Sequence, residues 1–270
     1  MPLHQGHEHY NTKRMDTNKM ETAQGHWILA KMGKRVLRPG GKELTQRIFD
    51  ALRISSDDNV VEFAPGIGFT ASKIVALHPR SYVGIDADRD VVDLLSRKLA
   101  GKNVKFKLAH ASETNLAENS IDKVMGEAML TMHNDERKSE IIREAHRILK
   151  KGGIYAIHEL GLKDVDDKLK NEINRDLQLT IKVHARPLTA EEWSALLEKE
   201  GFVVKEIFTN EMHLLETRRI VDDEGFFRAL KIAFNIVTNK SARERILAMR
   251  SVFRRNQKHL NAVAILAEKI

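Results

Sequence analysis

A strand-like run, Val60-Val61-Glu62-Phe63, passes directly into Ala64-Pro65-Gly66-Ile67-Gly68, and this junction is the most chemically suggestive feature of the sequence. Closely spaced glycines after a strand serve a ligand that must approach the backbone, in a turn whose dihedral angles side chains resist. Glu62 ends the strand before the turn, and Asp86 ends the next one, Tyr82-Val83-Gly84-Ile85, so two carboxylates flank the same place. Further candidates follow later strand-like segments: the His110-Ala111 pair, Glu127, His133 and His158. His133 and His158 fall at or near the ends of the fourth and fifth strands, where open α/β sheets bind their ligands. Either imidazole is a candidate general base. A purely structural hydrogen bond to a neighbouring carboxylate, such as Glu159 beside His158, is the equal alternative.

These groups have to be held by an alternation of strands and helices. After the Pro39-Gly40-Gly41 break, Leu44, Ile48, Ala51 and Leu52 recur at helical spacing and predict a helix over roughly 41–53. Helices follow from Thr70 to Leu77, over about 88–100, and from Glu136 to Leu149. Between them lie strands at Val104 to Leu108 and Ile121 to Met125, and Lys150-Lys151-Gly152-Gly153 reads as a stop before Ile154 to His158. Thr189 with Glu192 forms a capping-box signature for a helix to Glu200, followed by a strand from Phe202 to Phe208. Ala262 to Ala267 is a continuous apolar run of the length of a strand buried on both faces. The rhythm predicts an α/β fold, a largely parallel sheet with helices on both faces.

In order and spacing these features resemble the class I S-adenosylmethionine-dependent methyltransferase family, well over about 60–160 and more loosely to the C-terminal strand. The resemblance implies a Rossmann-like seven-stranded sheet with helical cap elements. Glu62 matches the acid of that family's first motif, and Gly66 and Gly68 hold its second and third glycine positions, with Ala64 where the first is usual. Asp86 matches the acid that binds the cofactor's ribose hydroxyls. His110-Ala111 stands where Asp-Ala often lies beside the adenine, and Glu127 sits beside the methionine part. The run from Arg143 to Gly153 resembles the junction into strand five. The implied cofactor is S-adenosylmethionine, and the implied reaction is transfer of its methyl group by in-line displacement to a small-molecule acceptor. A nicotinamide dehydrogenase is the competitor for a glycine turn, and it tolerates the Ala at position 71; the antiparallel-looking final strands favour the methyltransferase. An RNA methyltransferase and a non-catalytic cofactor-binding protein are the alternative functions.

Composition narrows the chemistry. The 270 residues contain no cysteine, which excludes disulfides, zinc–thiolate sites and thiol nucleophiles. His4, His7 and His9 could frame a metal site, but without a carboxylate frame they read as a solvated arm, and no metal is expected. There is no apolar signal segment and no run long enough to span a bilayer, so the expectation is a cytoplasmic protein without a membrane partner. Between Thr217 and Lys258 there are eleven Lys and Arg against four Asp and Glu, an excess of seven that equals the whole chain's formal +7. That segment reads as two amphipathic helices, one with Phe226, Leu230, Phe234 and Val237 on a side, the other with Ala242, Ile246, Met249 and Phe253. The expectation is an inward apolar wall over the site, with Arg243, Arg250 and Arg254 outward; phosphate binding by those arginines belongs to the RNA alternative. The expected organisation is an N-terminal arm and cap at 1–40, the core at 41–216, a helical cap inserted at 217–258, and the last strand at 259–270.

Overall fold

Period-two alternation divides the central strands between two cores. In β1 (Asn59–Phe63), Val61 and Phe63 face one layer and Val60 the other, and all three are fully buried. The other strands are β2 (Ser81–Asp86), β3 (Val104–Leu108), β4 (Ile121–Glu127), β5 (Leu149–Leu162), β6 (Phe202–Glu211) and β7 (Leu260–Lys269). In this computed structural model, which describes residues 23–35, 39–99, 101–212, 215 and 217–270, they form one seven-stranded sheet in the order β3-β2-β1-β4-β5-β7-β6. Strands β1 to β5 pair in parallel, and β7 lies antiparallel between β5 and β6. His4, His7 and His9 lie outside the described residues.

The helices are α1 (Gly25–Lys31), α2 (Gly41–Leu52), α3 (Phe69–Ala76), α4 (Arg89–Lys98), α5 (Asp135–Ile148), α6 (Asp167–Ile181), α7 (Ala190–Lys199), α8 (Thr217–Glu224), α9 (Phe226–Thr238) and α10 (Lys240–Arg255). On one side of the sheet α5 and α7 bury Ile141, Ile142, Trp193 and Leu197 against Val61, Val124 and Ile265. On the other, α2 and α3 bury Leu44, Ile48, Ala71 and Ile74 against Val60, Met125 and Ala264. The Thr189–Glu192 capping box is formed in both directions, at 3.2 and 2.9 Å. Two local expectations change. Lys150 to Gly153 does not stop the chain but bulges inside a long β5, whose pairing with β4 jumps from Leu149 to Ile154. The basic segment before β7 forms α8, α9 and α10 rather than two helices.

Candidate active site

Because β1 is flanked by β2 on one side and β4 on the other, the connections leaving it diverge, and a crevice opens above the C-terminal strand ends. A cavity of about 900 Å³ occupies that place. Its floor is the 64–67 turn after β1, its sides are residues 86–89 and 109–112, and Glu127 to Met129 close the far end. Gly66 and Gly68 both take positive φ, 55° and 79°. They are glycines for different reasons. A β-carbon at position 66 would meet nothing closer than the Ala64 carbonyl oxygen, 4.0 Å away, so the backbone there is open to a ligand. A β-carbon at position 68 would lie 2.4 Å from Leu95 Cδ2 on α4, and Gly68 does not line the cavity. Gly68 therefore has a packing reason of its own: it precedes α3 and leaves room for Leu95 of α4. Ala64, where a glycine is usual, holds the left-handed conformation at φ 51°.

Asp86 ends β2 on the cavity wall. Its Oδ1 accepts from Asp88 N at 3.0 Å and its Oδ2 from Gly66 N at 3.4 Å, so one carboxylate ties the two ligand-facing turns together. Burial raises its pKa against the lowering effect of those backbone donors. Glu62 is almost fully buried and accepts from the Tyr82 hydroxyl at 2.5 Å, so its carboxylate joins the cavity to the sheet interior. His110 and Ala111 line the cavity after β3, the histidine exposed. Glu127 lines it after β4 and accepts from Thr45 Oγ1 at 2.9 Å and from Thr70 Oγ1.

His158 differs from its expected part. It is fully buried, is not on the cavity wall, and has both ring nitrogens engaged: Nδ1 is 2.9 Å from Glu127 Oε1 and Nε2 2.6 Å from Pro39 O. The carbonyl of Pro39 can only accept, so Nε2 carries a hydrogen, and the Nδ1–Glu127 contact holds one proton between ring and carboxyl. Both nitrogens thus face protein atoms, which is the geometry of the structural alternative for His158. Its carboxylate partner is also Glu127 rather than Glu159. Glu159 instead accepts from Met129 N, Leu130 N and Thr131 N at 3.0, 2.8 and 3.0 Å and from Thr131 Oγ1 at 2.7 Å. That buried carboxylate fixes the 3-10 turn Leu130–Met132, which carries Met129 and Met132 into the cavity wall. His133 follows the turn and lines the cavity half-buried. Burial lowers its pKa, and the charges of Arg137 and Lys138 lower it further.

Sequence reasoning missed His26. Gln24, His26 and Trp27 at the start of α1 close the cavity from above, and His26 also borders a smaller recess of about 80 Å³. The recess is almost entirely apolar, with Leu29, Leu160, Ile181, Met212, Met249 and Phe253 among its walls, and it shares His26, Ala128, Met132 and Val183 with the main cavity. Burial pushes the His26 imidazole down to about 4. Its Nδ1 is buried with no hydrogen-bond partner among the described residues. The only sequence signal was position, in the segment expected to cap the site. Among the described residues no cluster of histidine and carboxylate side chains has the makings of a metal site.

Comparison with known proteins gives this geometry its family. Residues 60–153 match the family described as Methyltransferase domain. An uncharacterized protein of Haemophilus influenzae is 30% identical over 249 residues, 91% of this chain and 98% of that protein. Phosphoethanolamine N-methyltransferase of Plasmodium falciparum is 21% identical over 218 residues, 74% of this chain and 82% of the relative. Among solved structures, phosphoethanolamine N-methyltransferase 2 of Haemonchus contortus in complex with S-adenosyl-L-methionine shares the fold, with a TM-score of 0.66 at 17% identity over 96% of this chain and 58% of that one. The chain belongs to the class I S-adenosylmethionine-dependent methyltransferases, enzymes with a Rossmann-like core. The residues present fit S-adenosylmethionine as cofactor: a carboxylate ends β2, and beside it a glycine turn leaves open space where a β-carbon would stand.

Proposed function

We propose that the enzyme methylates a small-molecule acceptor enclosed between the glycine-turn cavity, α1 and the apolar recess. The observation that carries this reading is the recess itself, a dry-walled extension of the cavity beyond Ala128 and Met132 that suits part of a small organic molecule. The Plasmodium relative's name, which gives it phosphoethanolamine as acceptor, supports a small acceptor. S-adenosylmethionine supplies an electrophilic methyl group. The protein's task is to hold donor and acceptor in line and to exclude water. In this reading Asp86 binds the ribose hydroxyls and Gly66 lets the backbone approach. Glu62, His110, Ala111 and Glu127 form the rest of the cofactor wall. His133, uncharged at neutral pH, accepts a proton from the acceptor, and His158 positions Glu127 without touching substrate.

The test is a screen of purified full-length protein with methyl-labelled cofactor against small amines, alcohols, thiols and acids, with total RNA in parallel. Transfer to a small acceptor supports the proposal. Transfer to RNA alone, falling steeply with salt, would replace it with the nucleic-acid reading. Cofactor binding with no transfer to any acceptor would favour a non-catalytic role.

A further inference from the structure

Helix α9 turns its broader apolar face away from the protein. Phe226, Phe227, Leu230, Phe234 and Val237 are 60, 86, 53, 68 and 64% exposed, while Ile232 on the opposite side is buried. At 100° per residue those five side chains fall within one continuous stripe of about a third of the helix circumference. Scattered exposed hydrophobics need no explanation, but a stripe of this size marks a binding surface. The charge of the segment is net positive, with Asp222 and Glu244 as its exposed acids. Asp223 and Glu224, among the few acids of the segment, point back to the body, where Asp223 Oδ1 accepts from Lys42 N at 3.2 Å and Glu224 Oε1 from Arg35 N at 2.6 Å. Exposed Lys231 flanks the stripe beside Phe227 and Phe234, and exposed Lys240 follows the helix end. Arg243 reaches over that end to donate to the Val237 carbonyl at 2.6 Å.

We propose that this face docks the protein peripherally on an anionic lipid surface, with the phenylalanines at the acyl boundary and the lysines at the headgroups. An apolar stripe bordered by cations is the pattern of a helix lying in the plane of a membrane interface. α9 has 13 residues, too few to cross a bilayer, and among the described residues no helix is long and apolar enough to do so. A second copy of the chain on the same face would bring two strongly basic segments together, which like-charge repulsion opposes. Nucleic acid would satisfy the cations but leave the aliphatic and aromatic stripe in water. Anionic lipid satisfies both.

The experiment is sedimentation of the full-length protein with vesicles of phosphatidylglycerol and phosphatidylcholine, and with phosphatidylcholine alone. The expected result is binding to the anionic vesicles that weakens with salt. Phe227→Ser/Phe234→Ser should weaken it about tenfold or more, and Lys231→Glu/Lys240→Glu should remove the preference for anionic lipid. Because these side chains are exposed, the variants should keep the wild-type melting temperature and cofactor affinity, which separates lost docking from lost folding. Absence of wild-type binding to anionic vesicles overturns the proposal. So does self-association of the wild type that the phenylalanine changes abolish while vesicle binding stays at background. Neither outcome bears on methyl transfer.

Discussion

At Asp86 burial and hydrogen bonding oppose each other: desolvation raises its pKa, and the amides of Asp88 and Gly66 restrain the rise. A carboxylate held this way has acceptor capacity left for hydroxyl groups. Asp86→Ala should weaken S-adenosylmethionine binding by about 1–3 kcal/mol, the scale of a hydrogen bond to a charged group; unchanged affinity by calorimetry would refute the assignment. The two glycines allow a sharper contrast. Alanine at either position incurs about 1–2 kcal/mol for a left-handed L-residue. Gly68→Ala must also displace the buried Leu95, adding about 1–3 kcal/mol of overpacking. Thermal melts should therefore show Gly68→Ala as the less stable variant, while calorimetry shows Gly66→Ala as the one that loses cofactor affinity. Their residue type was readable in the sequence, but the reason for Gly68 was not, because Leu95 reaches it from another helix. His133 supplies a pH test. Burial and neighbouring cations lower its pKa below the ordinary 6.5, so it stays uncharged, and able to accept a proton, into mildly acidic solution. The acid limb of kcat/KM should fall below that value and disappear in His133→Asn; a limb that survives the substitution belongs to another group.

Among the elements, the 3-10 turn at Leu130–Met132 shows how a wall of the site is fixed from within the core. Three successive backbone N–H groups and the Thr131 hydroxyl converge on Glu159, a fully buried carboxylate whose pKa burial raises and these donors restrain. Glu159→Gln replaces one accepting oxygen with a donor facing donors. It should cost about 1–3 kcal/mol in chemical denaturation and raise the KM for the acceptor, since Met129 and Met132 ride on the turn. A variant as stable as wild type would show that the turn holds without it. Local signals were reliable where they were self-contained, as in the Thr189–Glu192 capping box. They failed in the inserted segment, where periodicity finds an apolar stripe but not its partner. α10 takes the body-facing place, packing Ala242, Ile246 and Met249 against Ile28, Leu29 and Met32. α9 is then held by a narrow apolar contact, with Ile232 buried and Ile236 packed on that cluster, and by polar contacts to the end of α1, with Asn235 Nδ2 donating to Met32 O at 3.0 Å and Arg228 Nη1 to Gly33 O at 3.4 Å. Ile232, Ile236 and these two polar side chains thus share the inward side of α9, which leaves the phenylalanines on the outward one. Of the six side chains expected to face inward, Met249 and Phe253 line the apolar recess, Ile246 packs in the cluster with α1, and Phe226, Leu230 and Phe234 are exposed.

For the molecule as a whole, the strand alternation and the antiparallel ending were legible, because each strand carries its own pattern, whereas the strand order that puts β1 between β2 and β4 was not. What stayed hidden were the groups brought together across long separations, such as the His158 ring with the Pro39 carbonyl, and His26 with Met132 as walls of the same cavity. The same long-range construction makes the last strand decisive. β7 pairs along most of its length with both β5 and β6, and Leu260, Val263, Ile265 and Leu266 in it are each at most 3% exposed. Burying four side chains of that size contributes about 6–12 kcal/mol, comparable to the whole stability of an ordinary domain, about 5–15 kcal/mol. Without β7 the hydrogen-bonding edge of β5 would be left open and β6 would have no neighbour in the sheet. A chain ending at Lys258 should therefore show no cooperative melting transition and no stabilisation by S-adenosylmethionine, although every residue assigned to the cofactor lies before β5. The removed strand supplied as a separate peptide, residues 259–270, should restore a measurable part of both by pairing between β5 and β6. If the truncated chain melts cooperatively on its own and binds cofactor, the first five strands are an independent folding unit and this account of the sheet is wrong.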